Sequence, residues 1–349
     1  MYSVAARMRV LVTGHHGYIG AVLAPMLADA GHEVVGLDTF YYRGCDFGPD
    51  AWQPAKLVSA DVRDADSDWL DDIDAVVHLA ALSNDPVGDL NEEWTHEING
   101  TASVDLAVAA KRAGVERYVF ASSCSMYGAS DTNDLVNEDA PLRPLTAYAE
   151  SKVAAEAEIL ALADDSFAPV SMRNATAYGV SPRLRLDIVL NNLVAWAHTT
   201  GAIRLQSDGS AWRPLVHIRD IANATLALLD APANLIRGRA FNIGTDEQNY
   251  TIRQLAEIVQ GRLPECEIEY AEGASPDTRS YRVDFSRFHD AFPDCRFEWT
   301  AERGADELAT AYEAVGLTAD ELSGERYLRL GRIKHLLADG ELTDGLRWT

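Results

Sequence analysis

Arg9-Val-Leu-Val-Thr13 runs straight into Gly14-His-His-Gly17-Tyr-Ile-Gly20, and the reading of this stretch decides the fold. The apolar run of Val10, Leu11 and Val12 reads as a buried strand. Gly14 then permits a tight turn, Gly17 lets a phosphate group approach the backbone, and Gly20 allows a helix to pack closely on the strand. From Ile19 to Ala30 the apolar residues recur with helical spacing, and Gly31 stands where a C′ glycine ends a helix. The first N–H groups of a helix have no partner within it and carry the positive end of its dipole, so the turn is an anion site. Its spacing is G-x-x-G-x-x-G rather than the commoner G-x-G-x-x-G. What gives it weight is its setting: a strand before, a helix after, and a carboxylate, Asp38, at the end of the next strand.

Outward from this turn, short β-branched runs alternate with helical patterns. Strands are expected at Glu33–Leu37, Lys56–Ser59, Ala75–Leu79, Arg117–Ala121 and Val170–Arg173, and helices at Asn99–Ala113 and Ala147–Ala163. The alternation predicts an α/β fold, a Rossmann-type doubly wound parallel sheet with a smaller C-terminal substrate-binding domain. Past Gly179 it loosens into helices at Asp187–Thr200, Ile218–Asp230 and Ile252–Gly261, a short strand at Ile203–Leu205, and a strand at Ala240–Ile243 that returns to the sheet. Residues 1–179 are thus expected to form the dinucleotide-binding domain, with a returning segment near 215–245. Residues 180–349 are expected to be mainly substrate-binding, with a helical extension (Ala305–Ala314, Glu325–Asp339) acting as a lid or an interface.

Of 349 residues, 47% are hydrophobic and 24% charged, the make-up of an ordinary globular protein. No apolar run nears the ~18–20 residues that span a bilayer, and Met1–Arg7 has no apolar signal core; a cytoplasmic protein whose fold starts near Met8 is expected. A formal net charge of −24 repels phosphate backbones and anionic lipid, which argues against nucleic acid or a membrane as partner. Cys45, Cys124, Cys266 and Cys295 show no Cys-x-x-Cys spacing and the histidines no ligand cluster, so free thiols and no metal are expected.

Asp38 sits where a carboxylate accepts hydrogen bonds from an adenosine ribose, and its charge disfavours a 2′-phosphate, so NAD is expected over NADP. Asp61-Val62 follows the third strand, where a side chain caps an adenine amine or simply closes a turn. Tyr148 and Lys152, in Tyr-Ala-Glu-Ser-Lys, are about one helical turn apart and share a face. An ammonium beside a phenol favours the phenolate, without which a tyrosine of pKa ~10 is a poor base at neutral pH. Ser123 lies upstream in Ser122-Ser-Cys-Ser-Met-Tyr-Gly128. Tyr-x-x-x-Lys alone recurs by chance. With the glycine turn and the serine segment in this order, it describes a nicotinamide enzyme in which a tyrosine moves the proton.

Together these segments resemble the extended short-chain dehydrogenase/reductases, in the branch of nucleotide-sugar epimerases and dehydratases (UDP-galactose 4-epimerase-like). The resemblance also runs through His78–Ala81, Asn99–Thr101, Arg173–Gly179, Asn191–Leu193, Trp212–Asp220 and Phe241–Gly244. It implies an NAD site built from Gly14, Gly17, Tyr18, Ile19, Gly20, Asp38, Asp61, Val62, Leu79, Ala80, Ala81 and Asn99, with Tyr148 and Lys152 at the nicotinamide end. Catalysis would fall to Ser123, Tyr148 and Lys152. A nucleotide-diphosphate sugar would meet Ser123, Tyr148 and Thr176, and its phosphates Asn192, Arg213 and, on a looser match, Arg279. A homodimer built through the helices near Asn99–Ala113 and Tyr148–Ala163 is a further implication.

In the implied mechanism Tyr148 takes the proton of a sugar hydroxyl, at C4, while the ring hydrogen leaves as hydride, and Ser123 bonds the same oxygen. An epimerase lets the 4-keto sugar rotate and returns hydride to the other face. A 4,6-dehydratase carries Asp-Glu after the hydroxyl residue; here Cys124 and Ser125 stand there, neither of them an acid–base pair near neutral pH. Epimerisation therefore leads, with a keto-sugar reductase or dehydrogenase next and a dehydratase behind. Glu138 or Asp139 offers a base from the loop before Tyr148, or a solvated turn. A dinucleotide-sensing regulatory module is the non-enzymatic alternative, and the complete Ser/Tyr/Lys set argues against it. Departures from the family pattern are Thr176 in place of Asn, Ser83-Asn84 in place of a lysine-bearing loop, and Gly273-Ala-Ser275 in place of an arginine. In the basic stretch Ser181–Asp187, Arg183 and Arg185 meet an anionic ligand or lie solvated on a gate loop.

Overall fold

Val10 and Val12 pack into the core on one face of the first strand and Leu11 into the core on the other, all three fully buried. A strand buried on both faces requires helices above and below it, which is the arrangement of parallel sheets. The computed structural model describes residues 7–48, 52–83, 85–88, 90–129, 135–271 and 279–349. Its strands are β1 (Arg9–Thr13), β2 (Glu33–Asp38), β3 (Lys56–Ser59), β4 (Ala75–His78), β5 (Arg117–Ser123), β6 (Ala168–Asn174), β7 (Thr176–Tyr178), β8 (Ala202–Leu205), β9 (Trp212–His217), β10 (Arg239–Ile243), β11 (Asn249–Thr251) and β12 (Glu267–Tyr270). Seven of them form a parallel sheet in the order β10-β6-β5-β4-β1-β2-β3. The chain winds outward in opposite directions from β1 and from β4, so a crevice opens between their carboxyl ends. The fold is Rossmann-like α/β.

β1 and β3 occupy the residues expected, whereas Leu79 falls just outside β4. The short strands β7, β9, β11 and β12 give no periodic signal of their own. They form small sheets apart from the large one, β11-β9-β7 and β12-β8. The stretch expected as one helix from Asn99 begins instead as a wider π-type turn, His96–Thr101, before the α-helix Ala102–Ala113, which ends at Gly114 with φ of +86°. The C-terminal helix Arg329–Ala338 and the residues after it return to the large sheet. Ile333, Leu336, Leu342 and Leu346 join the same core as Leu11. Among the described residues no helix is long and apolar enough to cross a membrane, and the four cysteines are unpaired.

The helix Ala147–Ala161 is held from behind. Glu156, one turn beyond Lys152, is buried and pairs with Arg173 of β6 at 2.6 Å. Arg173 also donates to the Tyr127 hydroxyl at 3.0 Å and to Glu138 O at 3.1 Å. Burial works against the Arg173 cation, yet the hydrogen bonds and charge of Glu156 hold its pKa above the usual arginine value. Breaking one side of a buried pair strands the other charge. Glu156→Gln is therefore expected to lower unfolding free energy by about 3–5 kcal/mol in urea titrations, with the loss centred on the helix that carries Tyr148.

Candidate active site

The crevice beyond β1 and β4 is a cleft of about 430 Å³. One wall is the glycine turn. Gly14 has φ of +70°, and a Cβ there would sit 2.9 Å from Ala80 N; a Cβ on Gly20 would sit 2.2 Å from Gly14 O. Backbone therefore runs where side chains cannot, and Gly14, Gly17, Tyr18, Ile19 and Gly20 all line the cleft. The Tyr18 hydroxyl donates to Gly179 O at 2.6 Å, bracing the turn against the residue that follows β7. Asp38 accepts from the N–H groups of His16 at 3.0 Å and Phe40 at 2.8 Å, which fixes its carboxylate at the cleft. Burial pushes its pKa up, against those hydrogen bonds. Each carboxylate oxygen keeps a further lone pair for a ligand hydroxyl.

Asp61 and Val62 line the same end. The Asp61 carboxylate is bound to the Arg63 side chain at 2.7 and 3.0 Å. Burial opposes its ionisation, but the Arg63 bonds keep its pKa below the usual carboxylate range. Leu79, Ala80 and Ala81 form the wall after β4. Asn99 does not line the cleft. Its buried amide accepts from Leu82 N at 2.8 Å and donates to Leu82 O at 3.0 Å, so it locks the loop that carries that wall.

Ser123, Tyr148 and Lys152 converge on the cleft. Ser123 ends β5, and its Oγ accepts from Ser125 N at 3.1 Å. Thr146 caps the helix that begins at Ala147, accepting from Ala149 N at 3.2 Å, which sets Tyr148 in the first turn. Lys152 is 2% exposed. Its Nζ donates to Ala121 O at 2.7 Å and lies 4.6 Å from the Phe120 ring centre and 6.0 Å from that of Tyr148. Burial brings its pKa down to about 7, with Glu156 opposing the shift.

Cys124 points away from the cleft: it is fully buried, its thiol donates to Arg173 O at 3.0 Å, and burial pushes its pKa up. Glu138 is buried off the cleft, accepting from Asn242 N at 2.8 Å. Ser125 does line the cleft, and its buried Oγ has no hydrogen-bond partner among the described residues.

At the opposite end stand Thr176, Arg213 and Arg279. Arg213 donates to Trp212 O at 2.8 Å and to Arg279 O, which keeps the two arginines together. Asn192 lies off the cleft wall, its amide donating to Leu186 O at 2.8 Å. Gly273–Ser275 and Asn84 lie outside the described residues. Arg183 and Arg185 are buried, not solvated, at 2% and 8% exposure. Arg185 bonds Asp187 at 2.8 Å and the Ser83 hydroxyl at 2.9 Å, while Arg183 holds Asp46 and His16. Burial, with Arg183 adding to it, lowers the His16 pKa to about 3, so this imidazole is neutral.

Among the cleft residues that sequence reasoning passed over are Asn174, Tyr42 and Arg329. Asn174 ends β6 with Oδ1 buried and unpartnered among the described residues, and its place at a strand's carboxyl end was a usable signal. Arg329 comes from the far end of the chain and had none.

Lys152 binds a proton less readily folded than unfolded. Between pH 7 and ~10 the unfolded chain therefore holds more protons, and stability rises with pH. Below pH 7 the full cost of the buried charge applies, at ~1.4 kcal/mol per unit of downshift. In ligand-free protein, Lys152→Met should flatten this rise, gaining most over the parent at pH 6 and least near pH 10, as read by urea unfolding across pH.

Residues 10–244 match the family model described as "NAD dependent epimerase/dehydratase family". A UDP-glucose 4-epimerase of Corynebacterium glutamicum is 31% identical over 78% of this chain and 86% of its own length. Among solved structures, MoeE5 in complex with UDP-glucose and NAD is 27% identical, with a TM-score of 0.75 over 88% of this chain and 99% of its own. TunA, an NAD-dependent NDP-hexosamine 5,6-dehydratase, shares the fold at 24% identity, with a TM-score of 0.77 over 88% of this chain and 98% of its own. The family match takes in the glycine turn, Asp38 and the helix of Tyr148 alike; this chain belongs to the NAD-dependent epimerase/dehydratase family and is an NAD-using enzyme.

Proposed function

We propose that the enzyme is a nucleotide-sugar epimerase that inverts a carbinol, at C4, through a transient keto sugar. One observation carries the reading: Ser123, Tyr148 and Lys152 share one cleft, while the residues after Ser123 offer no acid–base pair, Cys124 being buried away from it. When bound, the nicotinamide takes the carbinol hydrogen with its electron pair and gives it back.

The protein's own part is binding and proton transfer. Asp38 holds the adenosine ribose. Gly14, Gly17, Tyr18, Ile19 and Gly20 offer backbone to the pyrophosphate, and Val62, Leu79, Ala80 and Ala81 enclose the cofactor. Asp61, tied to Arg63, shapes the adenine end through its turn. Asn99 acts one step back, through the Leu82 loop. Tyr148 accepts the C4 hydroxyl proton, Ser123 hydrogen-bonds the same oxygen, and Lys152 supplies positive charge beside the developing phenolate and a donor for the nicotinamide ribose. Arg213 and Arg279 hold the sugar nucleotide's diphosphate, for which a guanidinium fork is suited. Thr176, which lines the same cleft, would meet the sugar. The cleft walls would enclose the keto sugar and the cofactor and so slow their exchange before hydride returns.

Assembly as a homodimer through the helices Ala102–Ala113 and Ala147–Ala161 is part of the proposal; light scattering should give twice the 38.1 kDa chain mass, and a monomer mass would count against it.

The deciding experiment offers UDP-sugars deuterated at C4. An epimerase returns the C4 epimer with its deuterium retained and releases no NADH, whereas stoichiometric use of free NADH on a keto sugar would establish a reductase instead. Tyr148→Phe should lower kcat by about 10²–10⁴-fold while bound NAD per chain stays the same. Full activity in that variant would remove Tyr148 as the base.

A further inference from the structure

The segment that follows the helix Ala301–Val315 takes no part in the chemistry above, yet it delivers a cation to the cleft. Arg329, the first residue of the helix Arg329–Ala338, lines the cleft together with Tyr42, Arg185 and Asp187. Its guanidinium carbon lies 3.9 Å from the centre of the Tyr42 ring, and one nitrogen donates to Arg183 O at 3.1 Å. The residue is only 4% exposed, and its buried Nη1 has no hydrogen-bond partner among the described residues. Arg183 pairs with Asp46 and Arg185 with Asp187; among the described residues Arg329 has no carboxylate of its own. A buried guanidinium without a counter-charge is costly, and an arginine does not escape the cost by losing its proton. Burial pulls its pKa down, and the Asp187 carboxylate, already bonded to Arg185, opposes the shift without cancelling it.

The chain beyond Arg329 is fastened at the same end of the cleft. Leu346 is fully buried, and its carbonyl accepts from Arg63 at 2.8 Å and from the Tyr41 hydroxyl. Arg347 pairs with Asp64 at 2.7 Å, and the Trp348 indole donates to Thr39 O at 2.6 Å. Thr39, Tyr41 and Asp61 all line the cleft, so this tail and the cleft wall stabilise one another.

We infer that Arg329 is a phosphate-binding residue of the dinucleotide site, held in place by the segment Arg329–Thr349. The planar fork of a guanidinium meets two oxygens of a phosphate at once. Two phosphate sources enter this cleft, the pyrophosphate of NAD and the diphosphate of a nucleotide sugar. Arg329 stands on the side of the first. It stacks on Tyr42, in the loop that follows Asp38, and bonds the backbone of Arg183, whose side chain reaches His16 of the glycine turn. The inference rests on family membership and NAD use, and is independent of which reaction the sugar undergoes.

Calorimetric titration of full-length, nucleotide-stripped protein with ADP-ribose, adenosine and UDP tests it. Arg329→Met should weaken ADP-ribose by about 10–100-fold, the loss of a charge-assisted contact, and leave adenosine and UDP unchanged; Arg329→Lys should lose less. Unchanged ADP-ribose affinity would overturn the assignment. So would equal weakening of adenosine, which marks lost packing, or weakening of UDP in place of ADP-ribose, which puts Arg329 on the sugar nucleotide. Should Arg329→Met not fold, hydrogen exchange of the unaltered protein decides: amides of residues 329–349 should be protected by ADP-ribose and not by UDP, and absence of that protection would overturn it equally.

Discussion

A single backbone carbonyl, Ala121 O, holds the ammonium of Lys152 at 2.7 Å inside the protein, and the geometry of the site follows from that contact. The cation is almost out of reach of water, so its position is set by β5, through Ala121 and the Phe120 ring, and by the helix that carries it. Ser123 lies two residues further along the same strand, about 6.6 Å by strand rise. Tyr148 lies one turn back along the same helix. One strand and one helix thus fix hydroxyl, phenol and ammonium, and the Glu156–Arg173 pair fixes that helix against β6. The site is rigid because its supports are elements, not loops.

The parts of this arrangement that could be read from the sequence are those that leave a local pattern. β1 announces itself by consecutive apolar residues, because both faces of a central parallel strand are covered. Tyr148 and Lys152 announce themselves by one turn of spacing. Gly14 and Gly20 are forced by backbone approaching backbone, Ala80 N in one case and Gly14 O in the other, and nothing but glycine satisfies that. β7, β9 and β11 leave no such trace, since three-residue pairings draw their stability from one another. Arg329 leaves none either. It reaches the cleft through tertiary packing of the C-terminal helix, across nearly the whole length of the chain.

Asn99 and Asn192 show a different limit. Resemblance assigns each to a ligand; in the structure Asn99 bonds Leu82 in both directions, and Asn192 donates to Leu186 O. An amide donates and accepts at once, so it pins a loop where a carboxylate or a cation cannot. The loops so pinned carry the cleft-wall residues Leu82 and Ser83 in one case, and Arg185 and Asp187, either side of Leu186, in the other. An asparagine at such a position holds a wall of the site still, a role that its place in the sequence does not announce and its hydrogen-bond partner does.

The charge of the chain and the charge of the cleft have opposite signs, and they act at different ranges. A net charge of −24 repels an anionic nucleotide at a distance, but mobile ions screen that repulsion beyond about 8 Å at physiological salt. Arg329 is buried in the cleft wall, where screening is weak and where, on the inference above, a phosphate would be met at contact distance. Such a distribution slows entry and strengthens retention. A dehydrogenase that must exchange its cofactor at every turnover gains nothing from that combination. An epimerase, whose cofactor is restored within each cycle, needs entry once and retention thereafter, so the electrostatics favour the reading that the Ser123, Tyr148 and Lys152 geometry supports.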